Sequence, residues 1–159
     1  MAPFAGYEMP IHYPSGIISE HHHVRSRAGL FDVSHMGQIR IGGKQAANWL
    51  ETLLPADLID LETGVQRYSF LTSDSGGILD DLMVYRLQDE YCLVVNAANK
   101  EADLLLLQER VTAGVFIDPR EDSALLALQG PQAAAALASI APAVKHLAFM
   151  TASEIRIAG

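Results

Sequence analysis

The chain has 159 residues, half of them hydrophobic and 19% charged, a length that suits one compact domain or two small ones with a sizeable core. Lys and Arg number 11 against 19 Asp and Glu, so the net charge of −8, with no basic stripe, argues against a nucleic-acid partner. The single cysteine forms no internal disulfide, and no apolar run approaches the ~20 residues of a membrane span.

The chain opens directly into Pro3-Phe4-Ala5-Gly6-Tyr7, with no basic region followed by an apolar core, so no secretory signal is expected. Residues 15–30 read as a helix after Pro14, stopped by Gly29. Residues 36–41 alternate and end at Gly42-Gly43, which predicts a strand. Residues 44–54 have helical apolar spacing at Ala47, Leu50, Leu53 and Leu54, and Pro55 stops them. Residues 67–72 are rich in strand formers, and Asp74-Ser75-Gly76-Gly77 supplies a tight reversal into a second strand over 78–87. Gln88-Asp89-Glu90 then turns into a third strand over 91–96, completing an antiparallel meander. A helix over 98–111, short strands over 115–117 and 123–128, and an Ala-rich helix from Gly130-Pro131 to Ile140 follow. Residues 154–159 alternate like a strand cut where a turn should follow, so the sequence is expected to be a fragment of a longer chain. Helices interleaved with antiparallel hairpins give an α+β fold and not a doubly wound parallel sheet.

Chemistry is best sought around Asp80-Asp81. Neighbouring side chains on a strand point to opposite faces, so Asp81 shares a face with Met83 and Tyr85, and Asp80 with Leu82 and Val84. A carboxylate, a thioether and a phenol in a row suit a flat heteroaromatic ligand, with soft walls for its ring and an acceptor for its N–H groups. A hairpin end with two solvated acids fits the same pattern. Tyr68 lies about where an antiparallel partner faces Asp81, as an ordinary cross-strand pair or as a wall of the same pocket. Asn96 ends an apolar strand, where an amide caps, turns or reads a ligand.

Other motifs carry less. His21-His22-His23 points in three directions on a helix, whereas helical metal ligands want a spacing of three or four, so no metal site is expected. Cys92 sits in the apolar run Tyr91-Cys92-Leu93-Val94-Val95 and reads as a buried thiol, not a nucleophile. Ser34-His35 are adjacent on an extended segment and make no triad. Gly76-Gly77 leads into a strand, so no helix N-terminus awaits a phosphate.

Four motifs occur in register: Pro3-Phe4-Ala5-Gly6-Tyr7-Glu8-Met9-Pro10, Asp32-Val33-Ser34-His35-Met36-Gly37, Gly76-Gly77-Ile78-Leu79-Asp80-Asp81-Leu82 and Val94-Val95-Asn96-Ala97-Ala98. With Leu128-Gln129-Gly130-Pro131 and Phe149-Met150, they make the whole chain resemble the aminomethyltransferase (T-protein) family of the glycine cleavage system. The resemblance implies a three-lobed fold of which this chain supplies the first two lobes, residues 1–45 with 125–159 and residues 46–124, without the C-terminal barrel. It implies transfer of an aminomethyl group from the lipoyl arm of H-protein to tetrahydrofolate, a co-substrate, giving methylenetetrahydrofolate and ammonia. The family's key aspartate falls on Asp81 and its folate-lining residues on Met36, Tyr68, Met83, Tyr85, Val95 and Asn96. It implies no metal, an inactive isolated segment, and a cytoplasmic location in a bacterium or the mitochondrial matrix in a eukaryote. The competing expectation is a folate-binding module of a related protein, of the sarcosine or dimethylglycine oxidoreductase or iron–sulfur maintenance type.

Overall fold

A computed structural model describes residues 1–157, which divide into two compact units. Residues 1–35 and 124–147, with those from 154, make one unit; residues 36–123 with 148–153 make the other.

In the first unit, β1 (Ala2–Phe4) and β2 (Tyr7–Met9) form a hairpin, followed by α1 (Ile17–Ser26) and β3 (Gly29–Asp32). The hairpin turns at Ala5 and Gly6, both at positive φ, the backbone that a two-residue reversal needs. Ala5 carries no left-handed preference, so the sequence gives no warning of this turn. The helix expected over 15–30 ends at Ser26, because Gly29–Asp32 pairs antiparallel with a strand about a hundred residues further on.

The second unit is built on a five-stranded antiparallel sheet. Its elements are β4 (Gly37–Gly42), α2 (Ala46–Leu50), β5 (Gln66–Thr72), β6 (Ile78–Leu87), β7 (Glu90–Val95), α3 (Lys100–Glu109) and β8 (Phe116–Pro119), with strand order β5-β6-β7-β4-β8. The expected β5–β6 hairpin is present, turning at Ser73–Gly77 and carrying a register shift at Leu71/Thr72. One sheet face is apolar: Ile39, Ile41, Leu82, Val84, Leu93 and Val95 cluster with Trp49, Leu50, Leu53, Leu54, Leu58, Leu61 and Leu107. Two polar groups packed into this core find backbone acceptors. Trp49 Nε1–H donates to the Arg110 carbonyl at 2.7 Å, and the Tyr91 hydroxyl to the Leu58 carbonyl at 2.7 Å. Helix α2 is shorter than the expected 44–54, since the chain tightens into turns after Leu50 that still bury Leu53 and Leu54.

Gly37 and Gly43 each mark a close approach. A Cβ on Gly37 would lie 2.6 Å from Val95 Cγ2 and 2.9 Å from Lys100 Cβ, so its absence lets the start of α3 seat against β4. Gly43, at φ +106°, would put a Cβ 2.1 Å from the Gly114 carbonyl oxygen. Strain and a backbone clash together mean that Gly43→Ala should cost about 1–3 kcal/mol. Urea unfolding with an unchanged slope checks this.

The chain then returns to the first unit with β9 (Leu126–Gln129), the partner of β3, and α4 (Ala133–Ile140), followed by a short 3-10 turn at Pro142–His146. Residues 154–157 do not form the strand expected over 154–159, and the last two residues of that expectation lie outside the described ones. The architecture is α+β, with antiparallel sheets and few helices.

Candidate functional site

The pleat of β6 separates its two aspartates. Asp80, Leu82 and Val84 face the core, 7%, 3% and 0% exposed, whereas Asp81, Met83 and Tyr85 are half-buried on the opposite face. Across β5, Tyr68 stands opposite Met83 and Phe70 opposite Asp81. Tyr68 therefore reaches Asp81 along the diagonal, its hydroxyl donating to Asp81 Oδ2 at 2.9 Å. That hydrogen bond, then desolvation and the charges of Asp81 and Asp80, hold the Tyr68 phenol above its ordinary value, so it stays a donor at neutral pH. The Phe70 ring packs edge-on against Tyr68 at 5.3 Å.

On the other side of β6, Val94 stands opposite Met83 and Cys92 opposite Tyr85. Cys92 is buried, and burial is the main reason its thiol is pushed up. Val95 faces the other way: it is fully buried in the core beside Leu82 and Gly37, so its side chain does not join the Asp81 face. Asn96, one residue on, turns its amide back to the two aspartates. Its Nδ2 donates to Asp80 Oδ1 at 2.9 Å, to Asp81 Oδ1 at 3.1 Å and to the Asp81 carbonyl at 3.1 Å. Met36 is half-buried and immediately precedes β4.

The structure thus gathers Asp81, Tyr68, Met83, Tyr85 and Asn96 around one half-open sheet face. Phe70 and Val94 belong to it too, and strict alternation from Tyr68 and from Asn96 was the signal that locates them. A further acid stands behind the site. Asp103 on α3 is 4% exposed, and its spacing of four from buried Leu107 already puts it on the core side of that helix. Asp80 is not a solvated hairpin acid. Burial raises its carboxyl, but hydrogen bonds from Asn96, Asp103 and Asn99 and from the Asp81 backbone outweigh burial and hold it below the ordinary value. Burial, then the hydrogen bond and charge of Asp80, push Asp103 up to about 7.

The first unit holds an open cleft of about 870 Å³, lined by Tyr7, His12, Tyr13, Glu20, Phe31 and His35 among others. The His35 ring lies edge-on to Phe4 at 5.7 Å and tilted to Tyr7 at 5.9 Å. The Ser34 hydroxyl accepts from the Leu125 N–H at 3.0 Å. His21, His22 and His23 are all exposed on α1.

Comparison with known proteins gives this arrangement a context. The mitochondrial aminomethyltransferase of Dictyostelium discoideum is 39% identical over 169 residues, covering all of this chain and 42% of that protein. The aminomethyltransferase of Pelodictyon phaeoclathratiforme is 45% identical over 145 residues, covering 89% of this chain and 40% of its own length. Among solved structures, the glycine cleavage system aminomethyltransferase T from Bartonella henselae superposes with a TM-score of 0.88 at 44% identity, covering 94% of this chain and 42% of that one. The chain spans about two fifths of the length of these relatives. A family model described as the GCVT N-terminal domain matches residues 1–159, and the chain belongs to that family.

Proposed function

We propose that the protein carrying this chain is an aminomethyltransferase of glycine cleavage. In this reading it moves the aminomethyl group from the lipoyl arm of H-protein to tetrahydrofolate, releasing ammonia, methylenetetrahydrofolate and the dihydrolipoyl arm. The observation that carries it is a carboxylate held between a phenol and an amide on a half-open, otherwise soft face: Asp81 accepts from Tyr68 and Asn96 beside Met83. That donor set fits a flat, N–H-rich ring, for which Met83, Val94 and the Tyr68 and Phe70 rings are walls and Asp81 the acceptor. Tetrahydrofolate supplies the nitrogen that takes up the one-carbon unit. The chain's own part is to orient and to stabilise charge: Asp81, pinned by two donors, presents a fixed negative group where positive charge develops as ammonia leaves. Tyr85 and Met36 complete the proposed lining. Val95 takes part through its backbone, which carries Asn96 to the site.

The two compact units support reading the chain as two lobes of a three-lobed protein. On that reading the remaining pocket contacts come from the rest of the longer protein, so the 159 residues by themselves bind tetrahydrofolate weakly and turn over no substrate. The location that goes with this reading is the bacterial cytoplasm or the mitochondrial matrix. Titration of the full-length protein with tetrahydrofolate, followed by ammonia release from aminomethylated H-protein, tests the assignment; tetrahydrofolate-independent release or no binding would overturn it. Tyr68→Phe should weaken tetrahydrofolate-dependent turnover by up to about tenfold with an unchanged melting temperature, since an exposed hydrogen bond to a charged group still competes with water.

A further inference from the structure

Two buried carboxyls meet behind the site. Asp80 and Asp103 are 7% and 4% exposed, the Oδ2 atom of each is buried without a hydrogen-bond partner, and the two side chains lie within hydrogen-bonding reach of each other. Two carboxylates have only acceptors to offer each other, so the contact is a bond only when one of them carries a proton. The ion pairs Arg40–Glu90, Arg110–Asp74 and Arg120–Asp118 include neither acid. The groups that face the pair are Asn96 at the end of β7, Asn99 before α3, Asp81 on β6, and Leu71 opposite Asp80 on β5.

We propose that Asp103 donates a proton to Asp80, and that this bond makes Asp103 a positioning residue for Asp81: Asp103 fixes Asp80, Asp80 holds the Asn96 amide, and the same amide holds Asp81. The inference rests on reading Asp81 as the group that faces the substrate. The three distances from Asn96 Nδ2, 2.9 Å to Asp80 Oδ1 and 3.1 Å to each of two Asp81 oxygens, make it the link, with one hydrogen for Asp80 and the other shared by Asp81. A chain of this kind transmits the proton on a core acid to the carboxylate on the open face. Asp80 and Asp81 are neighbours in sequence, yet the pleat denies them direct contact and the Asn96 amide supplies it.

The sign of the pH effect follows from the protonated partner. Asp103 sits at about 7 in the folded chain against an ordinary 3.8, so the folded state binds the extra proton between those values. Its contribution to stability is complete below the ordinary value and is lost as pH rises towards and through 7. Loss of the proton leaves two buried negative charges side by side, and the Asn96 link is disturbed with them.

The test uses the full-length protein and two variants. Asp103→Asn keeps a donor of the same shape but cannot ionise; Asp103→Ala removes the donor. The wild type should show the infrared band of a buried protonated carboxyl at pH 6 that fades on raising the pH through 7, and Asp103→Asn should lack it. Turnover of the wild type should fall on the alkaline side of 7. Asp103→Asn should stay within about threefold of the wild-type value at pH 6 and lose that alkaline limb, while Asp103→Ala should lose about tenfold or more at every pH. The side-chain amide resonances of Asn96 should shift with pH in the wild type and stay fixed in Asp103→Asn. Absence of the carboxyl band, an unshifted Asn96 amide, or an Asp103→Asn variant that keeps the alkaline limb would overturn the proposal. So would equal damage from both variants. If Asp103→Ala does not fold, the wild type and Asp103→Asn still decide. If the wild type shows no tetrahydrofolate-dependent transfer at any pH, the functional reading fails, while the carboxyl band and the Asn96 amide still judge the pair.

Discussion

Asp81→Asn, in the full-length protein, is expected to leave the fold intact and to lower turnover by about 10²–10⁴, the scale for a positioned acid–base or charge-stabilising group. The fold survives because Asp81 is half-buried on the open face of β6 and no packed core side chain depends on it. The activity does not survive, because an amide has no negative charge to set against the positive charge that develops as ammonia leaves. The amide also meets the Asn96 amide with one acceptor fewer and the Tyr68 hydroxyl with a group that can turn its N–H₂ towards it. Asp80→Asn acts differently. It changes a core-facing carboxyl paired with Asp103, so its losses appear in stability and its pH dependence, and its loss in turnover is about that of Asp103→Ala, far smaller than that of Asp81→Asn. Melting curves for both variants, run beside ammonia release from aminomethylated H-protein, separate the two. A loss in Asp81→Asn that tracks unfolding would refute the role given to that carboxylate.

Leu93→Ala should have the largest effect on stability, about 2–5 kcal/mol. Leu93 lies on β7, the central strand of the five, and is 0% exposed. It is flanked on the same face by Val84 of β6 and Ile39 of β4, 0% and 3% exposed. A cavity there has strands on both sides and helices over it, so little can collapse to fill it. Val94→Ala, one residue along, removes carbons from the opposite, half-buried face beside Met83. Its cost in urea unfolding should be much smaller, and its effect should appear in tetrahydrofolate binding. If the two variants proved equally destabilising, the assignment of one face to the core and the other to the site would be wrong.

The composition, the α+β class and the β5–β6–β7 meander are legible in the sequence because they rest on local signals. Alternation over residues 78–87, Gly76-Gly77 at the reversal and helical spacing after Asn99 each act within a few residues. The grouping of Asp81 with Met83 and Tyr85 is of the same kind, since a strand's pleat fixes it whatever surrounds the strand. Tertiary structure decided the rest. The helix expected to reach residue 30 stops at Ser26 because β3 finds β9, a partner that no window of local sequence contains. The register of β5 against β6 sets Phe70, not Tyr68, opposite Asp81, and only the length of the phenol restores the link. Val95 and Asn96 are consecutive, yet one is sealed in the core and the other bridges two carboxyls, because the strand ends between them. Asp80 reads as an exposed acid until α3 covers it with Asp103. Burial is what turns two ordinary aspartates into one shared proton.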